Sequence, residues 1–485
     1  MNPRLRNALW TAAACVTAAY LGFKTAEGEY ALPALLAVLI VGSILVRLAR
    51  LPVHTIALGF LLAGNVIGNR GFAQLTPVSG LPLLPAEIVL GLCLGWMLLA
   101  GAFTRELPFR RNALNWAVLA WIVVGTVRVP FDVPRHGLLA IRDYAMTYYA
   151  LFFFVVQEIA RNPRSRNFLY YTVLISSVVV VPVFILFQYF PAFFLSTLKV
   201  NGVPLIYHKD DLTVSFIACG TILLFHRVRG RHRYWAWPLC TAIFLYVASG
   251  GSRAPIVGMF FAGFLLLLAG HWRYLAIQGS AAVVAVLAVV ALSIVFNNDW
   301  AGRRLDAFTD HLDSLVDVTG TGRYESQDAY FKGDNNRFRA VWWRNVVVET
   351  WDQNPVFGLG FGADLAGGFV QEYYPTSGEE FNTRSPHNIV VTTFGRLGAV
   401  GVLTWLALLA TALASSWRGL RRSADPVAWS LWASPWVLVV AATLGVVLEG
   451  PMGAVFFWTL LGLASAWPQE REATAPTPAD AATDV

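Results

Sequence analysis

The feature that most constrains this chain is the recurrence of apolar stretches about as long as a lipid bilayer is thick. Crossing the hydrocarbon core takes about 20 helical residues. Stretches near that length occupy residues 8–22, 30–48, 52–68, 84–103, 113–129, 141–159, 168–190, 212–226, 234–249, 254–270, 274–296, 387–414, 427–448 and 451–467, separated by Arg-rich or polar breaks. Lipid offers the backbone no hydrogen-bonding partner, so each stretch is predicted to be a helix that satisfies its own amides and carbonyls. Composition agrees: 56% of residues are hydrophobic and 13% are charged, the latter about half the share of a soluble domain. The chain is predicted to be an all-α polytopic membrane protein with about 12 to 14 transmembrane helices.

Charge placement sets the orientation. Lys and Arg near span ends stay in the cytoplasm, and an inside N-terminus puts the clusters Arg110/Arg111, Arg161/Arg164/Arg166, Arg227 to Arg233 and Arg418/Arg421/Arg422 on that side. The net charge of +7 therefore reads as topology and contact with anionic membrane lipids, not as a nucleic-acid interface. Cys15, Cys93, Cys219 and Cys240 all fall in spans without CxxC spacing and read as packing residues.

The predicted organisation is a block of helices over 1–296, a large extracytoplasmic loop over 297–386, the last three helices over 387–467, and a disordered cytoplasmic tail over 468–485. Within the loop, Asp306, Asp310, Asp313 and Asp317 have helical spacing. They read as a solvated face, with a divalent-cation site as the other reading. The segment 337–352 (RFRAVWWRNVVVETWD) alternates Arg337, Arg339 and Arg344 with Phe338, Val341, Trp342 and Trp343, and ends before Asn354 and Pro355. It is predicted to be a helix lying in the outer interface with its apolar face down.

Basic residues on the outer side have no topological reason to be there, which singles out Arg128, Arg135, Arg142, Lys209 and Arg253. Arg253 follows Ser252 in SGGSRAP, where Gly250 and Gly251 permit a tight turn and Pro255 suits the first turn of a helix. Its guanidinium could bind an anion at the mouth of the bundle or snorkel to headgroups. Ser385, Pro386, His387 and Asn388 read as N-cap, first helical residue and first-turn polar residues of an outward-starting span. The positive helix end would oppose protonation of His387, as a general base requires; a histidine capping a loop is the alternative. Asn354 to Gly362 (NPVFGLGFG) lacks a strand and crossover, so it is no dinucleotide fingerprint. It reads as a turn bringing backbone close to another element.

SGGSRAP after a span, a long outer loop, an Arg/Trp helix running into NPVFGLGFG, and SPHNIVVTTFGRLGAVG opening a span together resemble the bacterial O-antigen ligase and polymerase superfamily, over roughly residues 200–450. The resemblance implies an inverting, metal-independent glycosyltransferase, without a cofactor, in the bacterial cytoplasmic membrane and facing outward. The donor it implies is a glycan on polyprenyl (undecaprenyl) diphosphate, and the acceptor a lipid-linked or surface glycan. It matches Arg253 to the signature arginine after a serine, Arg339, four residues before Trp343, to the loop arginine, with Arg337 competing, and His387 to the histidine of the His-Asn pair. Asn388, Ser252, Arg142 and Lys209 are supporting candidates. A diphosphate leaves as a stable anion, so the chemistry mainly requires positive charge around the phosphates and a base for the incoming hydroxyl. The chain contains no Asp-x-Asp pair of the kind that holds a metal in nucleotide-sugar enzymes. The motifs are shared by ligases and polymerases. A flippase of lipid-linked sugars is a further alternative, for which ionisable residues in mid-membrane and repeat symmetry are expected, and neither stands out.

Overall fold

The computed structural model describes residues 50–76, 83–104, 109–227, 254–272, 327–373 and 384–468, with scattered positions elsewhere. The stretches expected to span at 8–22, 30–48, 234–249 and 274–296, the run from Asp306 to Asp317, Ser252 and Arg253, and the tail beyond 468 fall mostly or wholly outside them.

In chain order the elements are α1 (Val53–Ile67), α2 (Asn69–Ala73), α3 (Pro85–Thr104), α4 (Ala113–His136), α5 (Leu138–Tyr148), α6 (Leu151–Ile159), α7 (Pro163–Tyr189), a π-helical turn (Phe193–Thr197), β1 (Lys199–Val200), β2 (Val203–Pro204), α8 (Asp210–Arg227), α9 (Ala254–Leu268), α10 (Gln327–Gln353), α11 (Gly367–Tyr373), α12 (Ile389–Arg422), α13 (Pro426–Ala442) and α14 (Pro451–Ala466). Among the described residues, α3, α4, α7 and α12 are long and apolar enough to cross a bilayer, and α5 with α6, bent by 45° at their junction, makes a fifth. The apolar helices α1, α9, α13 and α14 are shorter, at 15 to 17 residues. This is an all-α polytopic membrane protein, as the apolar stretches imply.

The chain divides into two compact units. The first comprises residues 1–105 and 162–209. In it Gly59 of α1 lies against the Phe168 ring of α7, where a Cβ would approach within 2.5 Å. Cys93 is buried, its thiol directed at the His54 carbonyl at 3.6 Å, and His54 stacks on Trp96. The segment after β2 is tied to the α1–α2 junction by the Tyr207 amide donating to the Gly68 carbonyl at 3.1 Å.

The second unit comprises residues 106–161 and 210–485. Trp121 of α4 and Trp405 of α12 are buried against each other with ring centroids 5.2 Å apart. Asn115 and Gln157 exchange two amide hydrogen bonds, and Gln157 donates to Ser465, so polar groups join α4, α6 and α14 inside the bundle without an unpaired amide. Small residues permit close approach elsewhere: Gly258 of α9 lies on the Val437 backbone of α13. One end of this unit carries Arg110, which donates to the Ser465 carbonyl, and Arg421 and Arg422 in the last turn of α12. The other end of α12 begins at the Asn388 cap.

α12 is not the single straight span that residues 387–414 suggested. Gly398, at φ 61° and ψ −156°, breaks it. The loop Asn354 to Gly362 fills the break: Ala399 and Val400 donate to the carbonyls of Pro355 and Val356 at 2.8 and 3.1 Å, and Leu359 donates to the Gly395 carbonyl at 2.7 Å. Non-helical backbone in a spanning segment is tolerated only where protein supplies the lost partners, and here the glycine-rich loop supplies them.

The second correction concerns α10, which starts at Gln327. Its Phe338, Trp342 and Val346 face packs against protein. Trp342 and Val346 are fully buried in a cluster with Leu365, Ala366 and Phe369 of the following loop and α11. The exposed apolar stripe on α10 is a different one, Val347, Val348 and Trp351.

Candidate functional site

His387 sits in the short turn that leads into α12, and the local sequence decides its geometry. The N-cap is Asn388, whose side chain accepts from the amides of Val390 and Val391 at 2.9 and 3.1 Å. Ser385 and Pro386 therefore lie outside the helix, which corrects their reading as N-cap and first helical residue. An Asn carboxamide reaches the N2 and N3 amides as well as a Ser hydroxyl does, so the later of two competent caps is used. His387 is left outside the helix in the left-handed region at φ 59°.

That turn is held on every side. From α10, Trp343 Nε1 donates to the Pro386 carbonyl at 2.6 Å, and the Trp342 ring stands edge-on to the His387 ring at 5.8 Å. Arg384 Nη2 donates to Asp143 of α5 at 3.0 Å and to the Gly362 carbonyl at 3.1 Å. Ser385 Oγ donates to Glu449 Oε1 at 3.0 Å, and Thr392 Oγ1, one turn into α12, donates to the same oxygen at 3.3 Å. Glu449 lies in the loop between α13 and α14.

Beside the turn lies the glycine loop. Gly358, Gly360 and Gly362 have φ of 74°, 100° and 85° and are buried. A Cβ at Gly360 would meet Asp132 and Arg128, and one at Gly358 would meet the α12 backbone, so close approach and positive φ both require glycine. Asp132 accepts from Arg128 Nε through both oxygens at 3.0 Å and from the Phe361 amide at 2.7 Å. Asp143 Oδ2 accepts from the Gly362 amide at 2.9 Å and pairs with Arg396 at 2.8 Å. Arg396 is fully buried within α12 and also donates to the carbonyls of Gly360 and Ala363. Arg396, about two turns into α12, is an ionisable residue in a spanning helix that the sequence did not single out, and it is paired with Asp143 and loop carbonyls. Its cost is met by partners, as a charge in a spanning segment requires.

The predicted residues distribute as follows. His387 and Arg339 are half-buried, and Arg339 precedes Trp343 by one helical turn, on the face of α10 that reaches the His387 turn. Arg337 is exposed, as are Arg135 and Arg142. Arg128 is committed to Asp132. Lys209 belongs to the first unit, its amide on Asn69 Oδ1 at 3.4 Å. Arg253 and Ser252 lie outside the described residues, immediately before α9, which carries Pro255 in its first turn. Sequence reasoning missed Asp132, Asp143, Arg384 and Glu449. The available signals were an i,i+4 pairing of Arg128 with Asp132 and lone acids at the outer ends of apolar runs.

Fold and site together define a multi-pass membrane protein that gathers a histidine, arginines and buried to half-buried carboxylates at the end of the bundle opposite its arginine clusters. Residues 238–406 match the family model described as O-antigen ligase. The match runs through α9, α10, the glycine loop and the His387 turn, and bears out the resemblance to the O-antigen ligase and polymerase superfamily over that stretch, about a third of the chain. A search of curated proteins finds no match to the chain.

Proposed function

We propose that the protein transfers a glycan from a polyprenyl-diphosphate donor to an acceptor hydroxyl at the outer face of a bacterial cytoplasmic membrane, in the manner of an O-antigen ligase. The observation that carries this reading is the His387 turn itself. A half-buried imidazole is fixed at the start of a spanning helix, against a helix whose Arg339 lies on the same face as the Trp343 that holds the turn. In this reading His387 takes the proton from the acceptor hydroxyl as its oxygen attacks the anomeric carbon. The bond to the diphosphate breaks, and attack from the opposite side inverts the configuration. Arg339 and Arg253, with Arg337 at the exposed edge, receive the charge that develops on the departing diphosphate. Guanidinium suits this because its planar fork donates in pairs to phosphate oxygens. No metal is assigned a role, since the arginines supply the charge.

The motifs serve a polymerase equally, with a second lipid-linked unit as acceptor; the reading commits to the donor, the base and the side of the membrane. The test is reconstitution of the purified protein with a polyprenyl-diphosphate oligosaccharide and lipid-linked acceptors, with and without a chelator. Transfer that persists in chelator and inverts the anomeric centre is expected. Strict dependence on a divalent cation, retention of configuration, or transfer only from a nucleotide sugar contradicts the reading.

A further inference from the structure

We infer that Glu449, together with Asp143, is a positioning residue for His387; the inference rests on the function proposed above. A residue other than glycine adopts a left-handed backbone only where its surroundings impose it. The residues immediately before His387 are where that imposition enters. Arg384 is drawn to Asp143 of α5, and Ser385 is drawn to Glu449 of the α13–α14 loop, at 3.0 Å in each case. These carboxylates are far from the turn in sequence and far from each other, so the turn is fixed from two independent elements.

Glu449 does more than hold one side. The same oxygen accepts from Ser385 before His387 and from Thr392 after it, and the two hydroxyls lie within 3.3 Å of each other. One carboxylate oxygen therefore bridges the turn to the first turn of α12 and fixes the angle at which the chain enters the helix. Asp143 ties the turn to the glycine loop, because its Oδ2 takes the Gly362 amide as well as Arg384 and Arg396. Neither acid needs to touch substrate in this account. Both act by fixing where the imidazole stands, and displacement of a catalytic group by about 1 Å can cost about 10²-fold in rate.

The experiment compares wild type, Glu449→Ala, Glu449→Gln and Asp143→Asn in two measurements. In the transfer assay, Glu449→Ala and Asp143→Asn are expected to lose about 10- to 100-fold in kcat with donor KM within about threefold. Glu449→Gln keeps an acceptor oxygen for both hydroxyls and is expected to recover most of the loss. In hydrogen–deuterium exchange, peptides covering 384–392 are expected to exchange faster in the Glu449→Ala and Asp143→Asn proteins, while those of α14 are unchanged. Wild-type kcat in Glu449→Ala, or unchanged exchange at 384–392, overturns the inference. So does a Gln variant as poor as Ala, which would make Glu449 a charge or proton carrier instead. If wild type itself transfers nothing, the proposed function fails, and the exchange rates still decide whether the two acids fix the turn.

Discussion

At the scale of single residues, backbone conformation and capping carry as much information as side-chain chemistry. Arg339 and Arg337 were not separable by spacing alone. The structure separates them by environment, one half-buried on the Trp343 face and the other exposed. Replacing Arg339 by Ala is expected to raise donor KM about 10- to 100-fold, the equivalent of one charge-assisted hydrogen bond of about 1.5 to 3 kcal/mol. Lys should rescue it poorly for want of the planar fork; titration with the donor checks both, and an unchanged KM for Arg339→Ala contradicts the assignment. His387 was legible because a polar cluster opening an apolar run is conspicuous. Glu449 and Asp143 were not, because a lone acid at a span end has the same appearance whether it is solvated or paired across the fold. A second residue-level expectation concerns His208, outside the spans, whose ring packs edge-on against Phe184 and Phe187. Burial pushes its pKa down to about 4. The unfolded chain then binds the proton more readily than the folded one, so stability is complete above the ordinary value of about 6.5 and falls as pH drops from there toward 4. Thermal unfolding in detergent between pH 7.5 and 5 should show the decline, and His208→Leu should flatten it; an equal slope in the variant contradicts the account.

At the scale of elements, the break in α12 and the glycine loop form one unit. Three glycines in alternation announced a close backbone approach, and that much was legible. What they approach was not, since Gly398 sits in a run that reads as continuous helix, and only its φ of 61° with ψ of −156° reveals the break. That conformation is essentially reserved for glycine, and a Cβ there would also meet the Val356 carbonyl at 2.5 Å. Gly398→Ala is expected to destabilise the protein by about 1 to 3 kcal/mol or more. Gly95→Ala, in α3 where a Cβ meets nothing within 4 Å, should be neutral or stabilising. Melting temperatures of the two variants in the same detergent check the contrast, and equal shifts would contradict it. The partial misreading of α10 has a related cause. Amphipathicity locates an apolar face but does not say whether lipid or protein covers it, and here Phe369 and Leu365 cover Trp342.

At the scale of the whole molecule, composition and span length are sufficient to define an all-α membrane protein, because the bilayer leaves so few alternatives. Sidedness rests on the arginine distribution, and it is testable directly in a cysteine-free background. Cysteine at the exposed Asp364 of the glycine loop is expected to react with an impermeant reagent in intact cells, and cysteine at Arg422 only after permeabilisation; the reverse pattern would put the site on the wrong side for a lipid-linked acceptor. The helical framework and the order of its motifs could thus be read from the chain. The wiring of Asp132, Asp143, Arg384 and Arg396 could not, since it joins segments more than 200 residues apart in sequence. The most direct test of the central claim is single-turnover transfer by wild type and His387→Ala with a polyprenyl-diphosphate glycan, measured alongside donor affinity and across pH. The account predicts that His387→Ala loses about 10² to 10⁴ in rate while donor affinity stays within about threefold, and that the wild-type rate falls as pH drops through the histidine pKa. A folded His387→Ala protein with near wild-type transfer and the same pH profile would contradict it, and would place the base elsewhere in the site.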